Sequence, residues 1–388
     1  MTAKAKTKAP LKASSPLDVI VIGAGPAGIG VAVALRGMGI QRLGVLDAGD
    51  IGQSFQRWPE GMRLITPSFP GNQYGTIDLN SIHPSTSPGF SLGTEHPTGP
   101  EYAQYLKAVA NWAHVPVMTK TPLQGLRKEG DTFYIKTPKG EMSAKNIVWA
   151  AGEFHWPKRA SFPGSELGMH NSSVKQWAKL KGKDFVVIGG YESGVDAAFH
   201  LVNAGKKVTV LDAGAPWTVH DSDPSIVLSP YTKDRLENVL ASGRLNLVKA
   251  KAQSITAIKG GFAVKAGSKV YKTQHAPILA TGFQSSLALI KELFDWNGDV
   301  AKVQQLDDQS TKTAGLYLAG PALRHEVKEK LLVFCFIYKY RGRFPLVAKS
   351  IGERLGLETK DIQQMTEFYK KQGMYLDDLS CCGDDCEC

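Results

Sequence analysis

Two stretches of the chain repeat one hydrophobic pattern: a short β-branched run, a glycine-rich turn and an apolar helix. The first run covers Leu17–Ile22, and its helix extends to Leu35. The second run covers Asp184–Ile188, and its helix covers Val195–Leu201. Short apolar runs between turn signals are typical of buried parallel strands. The pattern therefore predicts an α/β fold with two similar units.

The first glycine-rich turn has the spacing of a dinucleotide-binding fingerprint. Gly23, Gly25 and Gly28 follow the order G-x-G-x-x-G. In this motif the first glycine permits a tight turn, the second lets backbone approach a pyrophosphate, and the third lets helix pack on strand. The next predicted strand ends in Asp47, at the position of an acid that accepts hydrogen bonds from an adenosine ribose. The turn predicts a dinucleotide site.

The second turn has the same spacing with one departure. Its small residues are Gly189, Gly190, Ser193 and Gly194. Tyr191 occupies the position of the second glycine, and the following strand ends in Asp212. An acid there favours the free 2′-hydroxyl of NADH over the phosphate of NADPH. Two interpretations stay open, a second dinucleotide site and a degenerate unit without a ligand.

Each unit is followed by a predicted hairpin and a returning strand. The hairpins cover residues 130–140 and 261–270, and the strands cover residues 144–152 and 276–282. The returning strands end in Ala151-Gly152 and Thr281-Gly282. This is an internal repeat on the scale of a domain.

The order of these features resembles flavoproteins with two dinucleotide-binding domains, the group of thioredoxin reductases and flavin-containing monooxygenases. The likeness covers about residues 16–355 and implies two Rossmann-like, three-layer domains, the second inserted into the first. It implies FAD on the first fingerprint and NADH or NADPH on the second. Residues 315–320 resemble the late FAD motif, with Pro321 where thioredoxin reductases carry Asp. Residues 51–58 resemble the monooxygenase segment beside the flavin.

The resemblance also implies domain bounds and cofactor contacts. The expected parts are a basic arm (1–16), an FAD domain in two pieces (17–165 and 283–358), an NAD(P)H domain (166–282) and a C-terminal helix with a cysteine-rich tail (359–388). The expected cofactor-binding residues are Gly23, Gly25, Pro26, Ala27, Gly28, Asp47, Arg57, Trp58, Ala151, Gly152, Gly189, Gly190, Ser193, Gly194, Asp212, Thr281, Gly282 and Gly320.

The cysteines lie in two places. Cys335 stands alone in an apolar run, whereas Cys381, Cys382, Cys386 and Cys388 lie within the last eight residues. The adjacent pair resembles the tail of mercuric reductases. Three interpretations stay open: a redox arm that also carries soft metal ions, a zinc site made by the four thiolates, and an inert tail. Neither unit contains a paired-cysteine motif, which excludes the ordinary thioredoxin reductase mechanism.

The leading hypothesis is an NAD(P)H oxidoreductase that passes electrons through FAD to a disulfide or thiophilic acceptor engaged by the tail. Its candidate catalytic residues are Cys381, Cys382, Cys335 and His325. Core packing is the other expectation for Cys335, and a surface loop is the other expectation for His325. The alternative function is a monooxygenase that oxygenates a small soft nucleophile through a peroxyflavin. A third hypothesis is a flavoprotein that senses nucleotide or sequesters metal.

Charge and hydropathy limit the remaining partners. The net charge of +10 includes four lysines of the basic arm, and without interleaved aromatics it indicates anionic cofactors rather than nucleic acid. No apolar run is long enough for a membrane span or a secretory signal. We therefore expect a cytoplasmic enzyme with a small-molecule or thiol/disulfide substrate. A homodimer is compatible with the resemblance, but nothing in the sequence requires one.

Overall fold

The structure is a computed structural model that describes residues 15–71, 75–159, 162–221 and 225–380. The first unit begins with strand β1 (Leu17–Ile22), helix α1 (Pro26–Gly37) and strand β2 (Leu43–Leu46). These bounds match the predicted strand, turn and helix. All four residues of β2 and the last four of β1 are buried, as the apolar runs predict.

The long connection after β2 is mostly loop. It contains helices α2 (Gln53–Gln56), α3 (Pro88–Leu92) and α4 (Gly99–Trp112), and it returns as strand β3 (Val117–Met118). A capping box fixes the start of α4, because Glu101 accepts the backbone N–H of Thr98 while Thr98 Oγ1 accepts the N–H of Glu101.

A three-stranded meander then rejoins the first sheet. It consists of β4 (Gly125–Glu129), β5 (Thr132–Thr137) and β6 (Gly140–Trp149). The predicted two-stranded hairpin over residues 130–140 is wrong in its bounds. β6 pairs antiparallel with β5 in its first half and parallel with β1 in its second half. This one ten-residue strand therefore replaces two predicted strands, the second strand of the hairpin and the returning strand.

The second unit repeats this plan between residues 169 and 279. Its strands and helices are β7 (Met169–His170), β8 (Asp184–Ile188), α5 (Glu192–Asn203), β9 (Lys207–Asp212), α6 (Pro230–Leu240), β10 (Leu245–Lys249), β11 (Ala252–Ile258), β12 (Gly261–Ala266), β13 (Lys269–Thr273) and β14 (Ile278–Leu279). The parallel sheet has the order β10-β9-β8-β14-β7, and β11, β12 and β13 form a separate meander.

The chain then returns to the first unit. The remaining elements are β15 (Trp296–Asn297), β16 (Val300–Ala301), β17 (Leu316–Leu318), β18 (Arg324–Val327), β19 (Lys330–Val333), α7 (Ile337–Tyr340), α8 (Phe344–Arg354) and α9 (Thr359–Lys371). β17 pairs with β6 and completes the first sheet, whose path is β3-β2-β1-β6-β5-β4. The predicted fold class, two Rossmann-like units with the second inserted into the first, is confirmed.

The C-terminal elements belong to the core of the first unit. Helix α8 packs so closely on α1 that a Cβ at Gly30 would lie 2.1 Å from the ring of Phe344. Tyr369 of α9 and Leu379 beyond it are buried in the same core. Among the described residues, no helix is both long and apolar enough to cross a membrane.

Candidate functional site

The first glycine-rich turn is built around Gly23 and Gly28. Gly23 has a φ of +109°, and a Cβ on Gly28 would lie 1.8 Å from the carbonyl oxygen of Gly23. A Cβ on Gly23 would lie 2.4 Å from the carbonyl oxygen of Ala150, so neither position accepts a side chain without a backbone shift. Asp47 closes the turn, since its two carboxylate oxygens accept the backbone N–H groups of Ala24 and Gly49, both at 2.7 Å.

The second turn has the same geometry. Gly189 has a φ of +104°, and a Cβ on Gly194 would lie 1.9 Å from its carbonyl oxygen. The carboxylate of Asp212 accepts the N–H of Gly190 at 2.7 Å and that of Gly214 at 2.8 Å. The two turns therefore share one backbone geometry.

The second position of the motif separates the two turns. Gly25 and Tyr191 share one backbone conformation, with φ and ψ of −83° and −170° against −78° and −169°. Gly25 is therefore not required by the backbone, and no described atom lies within 4 Å of the Cβ it lacks. The Tyr191 side chain extends away from its turn and donates its hydroxyl to the carbonyl of Ile226 at 2.8 Å.

One cavity of about 560 Å³ joins the two units. The first turn opens into it through Gly23 and Gly25, and the N-terminal turn of α5 opens into it through Glu192, Ser193 and Asp196. Free N–H groups at a helix N-terminus attract anions such as a pyrophosphate. A ligand on either unit can therefore reach the same space.

Half of the predicted cofactor-binding residues line this cavity. They are Gly23, Gly25, Pro26, Ala27, Asp47, Trp58, Ala151, Gly152 and Ser193. The others lie outside the lining that the described residues form: Gly28, Arg57, Gly189, Gly190, Gly194, Asp212, Thr281, Gly282 and Gly320. Several of these residues pack behind the residues that line the cavity. A Cβ on Gly320, for example, would lie 2.8 Å from the Cβ of Ala27.

Contacts between the units hold α5 against the cavity. The ring of His96, from the loop before α4, stacks on Tyr231 of α6 with 4.0 Å between ring centroids. Lys339 of α7 donates to the hydroxyl of Ser225 at 2.8 Å. The described orientation therefore already presents both turns to one space.

A buried ion pair lies at the second unit's end of the cavity. Arg235 donates to Asp196 Oδ1 at 2.8 Å, and its guanidinium stacks 4.0 Å from the ring centroid of Phe199. Asp196 Oδ2 is buried and has no hydrogen-bond partner among the described residues. An unmet buried acceptor is costly, and the ion pair with Arg235 offsets the burial of this carboxylate.

Glu192 links the two helices of the second unit. Its carboxylate accepts the backbone N–H of Ser229 at 2.6 Å and also the hydroxyl of Thr232, at the start of α6. Burial raises the pKa of Glu192 above its ordinary value, although these hydrogen bonds oppose the shift. Glu192 and Asp196 are four residues apart and share one side of α5.

Two titratable groups line the cavity between the units. Burial lowers the pKa of His155, and burial raises the pKa of Glu153. His155 Nδ1 lies 3.3 Å from Arg57 Nη1, and Nε2 lies 3.3 Å from Ser54 Oγ. A guanidinium can only donate, so Nδ1 is the acceptor and the imidazole proton lies on Nε2.

Cys335 is exposed and lines the cavity. The expectation that this thiol packs in the core is wrong. β19 ends two residues earlier, so the apolar run consists of a hairpin strand followed by residues of the cavity wall. Its Sγ lies 3.5 Å from the hydroxyl of Ser225.

His325 is not on a surface loop, and that expectation is wrong. It lies on β18, is buried, and its Nε2 is 2.7 Å from Asp308 Oδ1. Arg343 binds the same carboxylate through Nη2 at 2.7 Å and Nε at 3.0 Å. A buried carboxylate shared by His325 and Arg343 ties elements together, and the catalytic role expected for His325 stays an untested prediction.

The predicted redox and metal ligands Cys381, Cys382, Cys386 and Cys388 lie outside the described residues. The segment that leads to them is well held. Leu376 donates its N–H to Gly342 and accepts from Arg343 Nη1 at 2.6 Å, while Leu379 is buried. Gly342 lies two residues beyond the cavity-lining Tyr340.

Sequence reasoning missed several residues of the cavity. Arg235 and Asn80 come from a helix and a loop that carry no motif, and only the fold brings them here. Asp196 and Glu192 had a detectable signal, because two acids four positions apart directly follow the second turn. The indole of Trp149, which donates to Ser286 Oγ at 3.0 Å, also lines the cavity.

Comparison with known proteins gives a family and a fold. Residues 20–320 match the model of the family described as pyridine nucleotide-disulphide oxidoreductase. An uncharacterized oxidoreductase, CzcO, of Bacillus velezensis is 31% identical over 202 residues, 50% of this chain and 54% of that protein. The chain thus spans about half the length of that curated relative.

Two further likenesses cover more of the chain. Ferredoxin–NADP reductase of Thermus thermophilus is 24% identical over 88% of this chain and 90% of that protein. The solved bacillithiol disulfide reductase Bdr of Staphylococcus aureus has a TM-score of 0.71 at 18% identity, covering 88% of this chain and 99% of its own. At that identity it shows the fold alone. The expected likeness to two-domain flavoproteins is confirmed.

Proposed function

This chain belongs to the pyridine nucleotide-disulphide oxidoreductase family, and from that premise we propose that NAD(P)H reduces FAD within the cavity shared by its two units. The family implies both cofactors, and the protein is an FAD-dependent oxidoreductase. The observation that carries the proposal is the single cavity into which Gly25 and Ser193 both open.

The first turn suits FAD. The space beside Gly25, the backbone N–H groups at the start of α1 and the position of Asp47 leave room for a pyrophosphate and an adenosine. Gly23, Gly28 and Gly320 allow the close backbone packing that shapes this part of the cavity. Ala151 and Gly152 form the opposite wall.

The second turn suits a nicotinamide dinucleotide. Ser193 and the N-terminus of α5 would meet the pyrophosphate, and Asp212 would repel a 2′-phosphate, which favours NADH. The ion pair of Asp196 and Arg235, which lines the cavity, would border the space for the nicotinamide ring. The bound cofactors supply the hydride chemistry, and the side chains supply alignment and exclusion of water.

The chain's own groups manage protons at the cavity. His155 is neutral near pH 7 because its pKa is lowered, and it keeps its proton on Nε2. Glu153, with a raised pKa, is the second group that can hold a proton there. Neither side chain has to move to reach a bound ligand, since both line the cavity.

We further propose a disulfide or thiophilic species as the acceptor, engaged by Cys381 and Cys382. Support comes from the exposed cavity thiol of Cys335 and from the segment ending at Leu379, which is anchored beside the cavity-lining helix α7. A soft metal ion is compatible with the same thiols. The monooxygenase alternative draws support from Ser54, Phe55 and Trp58, cavity residues in the segment that resembles monooxygenases.

The test is an anaerobic titration with NADH that follows the flavin absorbance, with reactive thiols counted before and after. We expect bleaching and two new thiols in the parent protein, and bleaching without new thiols in Cys381→Ser/Cys382→Ser. Cys335→Ser serves as the matched single-thiol variant. Bleaching with an unchanged thiol count in the parent protein would remove the disulfide acceptor, and NADH-dependent oxygen incorporation into a soft nucleophile would then establish the monooxygenase.

A further inference from the structure

A run of positive charge begins in the second unit and ends just beyond it. Between Glu237 and Glu292 there is no Asp or Glu, and there are eight Lys or Arg, of which Lys291 alone lies beyond β14. This stretch contributes +8 and the four lysines of residues 1–16 contribute +4, so the remaining residues sum to −2 and the chain to +10.

The structure gathers part of this charge on one side of the β11–β12–β13 meander. Lys265 pairs across the sheet with Val270, and Lys272 pairs with Ala263, so these four residues share a face. Lys259 follows at the turn between β11 and β12. Ile255 and Val264 point to the other side, where they are buried in a core. The charged side is the outer one.

These lysines have no partners within the described chain. Lys259, Lys265 and Lys272 are exposed, and none of their side-chain ammonium groups forms an ion pair or hydrogen bond with a described residue. The corresponding meander of the first unit differs, because Arg127 there binds Glu129 and Glu141. The same architecture therefore neutralises its charge in one unit and leaves it open in the other.

The outer face also carries two exposed apolar side chains. Val270 is 58% exposed and Ile258 is 39% exposed. Protein interfaces combine apolar contacts with polar and charged ones. We propose that this lysine face (Ile258, Lys259, Lys265, Val270 and Lys272) docks an acidic protein.

Other occupants fit this face less well. The aromatic rings of Phe262 and Tyr271 belong to the opposite side of the meander, so nucleic-acid bases have nothing to stack on. The face has lysine but no arginine, and so lacks bidentate forks for phosphate. A second copy would bring like charges together. An acidic protein with an apolar contact satisfies both the charge and the exposed side chains.

The complex should be weak and sensitive to salt. Strands lie about 4.8 Å apart and rise about 3.3 Å per residue, so the face is only about 10 by 20 Å. That is well below the roughly 800 Å² per partner of a standard interface. Charge then contributes mainly to association rate and specificity, and salt screens it.

The test uses three labelled probes and the full-length protein. Fluorescence anisotropy compares a 20-residue Asp/Glu-rich peptide carrying two leucines, a 20-nucleotide oligo-dT, and vesicles containing anionic lipid, at two salt concentrations. The variant is Lys259→Glu/Lys265→Glu/Lys272→Glu. The matched control, with the same charge change on exposed lysines of the first unit, is Lys107→Glu/Lys360→Glu/Lys371→Glu.

We expect the parent protein to bind the peptide more tightly than the other probes, the lysine-face variant to lose at least tenfold in affinity, and the control to lose less than twofold. Val270→Ser should lose a smaller factor than the triple variant. Equal losses in both triple variants, or a preference for oligo-dT or vesicles, would overturn the proposal. So would tighter peptide binding after deletion of residues 381–388, because the acidic tail would then be the occupant.

Discussion

The two βαβ units of this protein have the same turn and differ in what surrounds it. Both have a positive-φ glycine, a close helix glycine and an acid that ties the turn to the next strand. They differ at the second motif position, where Gly25 leaves open space and Tyr191 carries a side chain. Backbone geometry is thus shared, and ligand access is specific to each unit.

A second difference lies one residue earlier in the same turn. Ala24 of the first turn is replaced by Gly190, where a Cβ would lie 2.5 Å from the ring of Trp217. In the second turn the ring of Trp217 packs against Gly190, which has no Cβ. In the first turn Ala24 has a Cβ at that position, and Gly25 has no side chain at the next one. Each glycine of the two turns therefore meets a separate steric requirement.

The helix glycines give the largest expected effects. Gly28→Ala should displace α1 and abolish FAD retention, since the overpacking costs on the order of 1–3 kcal/mol or more. Gly194→Ala should leave FAD bound and abolish its reduction by NADH. Flavin absorbance after desalting, followed by NADH addition, measures both. Gly125→Ala, whose nearest neighbour would be 3.8 Å away, is the control and should change neither.

Exchange at the second position sharpens the comparison. Gly25→Tyr should weaken FAD binding at least a hundredfold with little change in thermal stability, because the new side chain enters space that holds no described atom. Tyr191→Gly should change the KM for NADH less than about threefold, since the tyrosine extends away from its turn. Tight FAD binding by Gly25→Tyr would mean that the open space is not the cofactor's.

Nucleotide preference gives a smaller effect. Asp212→Asn removes a negative charge beside the expected 2′-position, so kcat/KM for NADPH relative to NADH should rise about tenfold, equivalent to about 1.4 kcal/mol. Initial rates with both nucleotides measure this ratio. A parent protein that already prefers NADPH would contradict the role given to Asp212.

The last prediction concerns stability rather than cofactor binding, at a packing site that the second unit lacks. His83 is buried between Trp112 and the rings of α9, and burial lowers its pKa to about 4. The unfolded chain, with an ordinary pKa near 6.5, binds the proton more readily. The contribution of the buried, neutral His83 to the free energy of unfolding is therefore fully present above about pH 6.5. As the pH falls towards 4, the protein loses on the order of 3 kcal/mol of this free energy.

Denaturant unfolding at pH 7 and pH 5 measures this loss. His83→Gln should show a smaller difference between the two pH values than the parent protein. His275→Gln is the control, because this histidine lies on the second unit and stacks on Phe185 there. An unchanged pH dependence in His83→Gln would assign the loss to other groups.

The sequence was sufficient for the fold because local and tertiary signals agree in both units. The strand, turn and helix of residues 17–35 and 184–201 were predicted from short-range patterns alone. The meanders were predicted less well. The β6 strand changes partners midway without a glycine or proline to mark the change, so its two roles could not be separated.

The candidate site was only half predictable. Motif residues such as Gly23 and Asp47 carry their own signal, but Arg235 and Asn80 reach the cavity through packing between distant segments. The surroundings of Cys335 could not be predicted, because an apolar run does not reveal whether its residues enter the core or line a cavity. The surroundings of His325 could not be predicted either, because its partner, Asp308, lies in a loop with no pattern of its own.

The central claim is that both units serve one cavity, so a nucleotide on the second unit reduces FAD on the first. The most direct measurement is stopped-flow mixing of the FAD-loaded protein with NADH without oxygen, in the parent protein and in Asp196→Asn. We predict rapid loss of flavin absorbance in the parent protein and a rate at least tenfold slower in the variant. Retention of full flavin absorbance with both NADH and NADPH would contradict the claim.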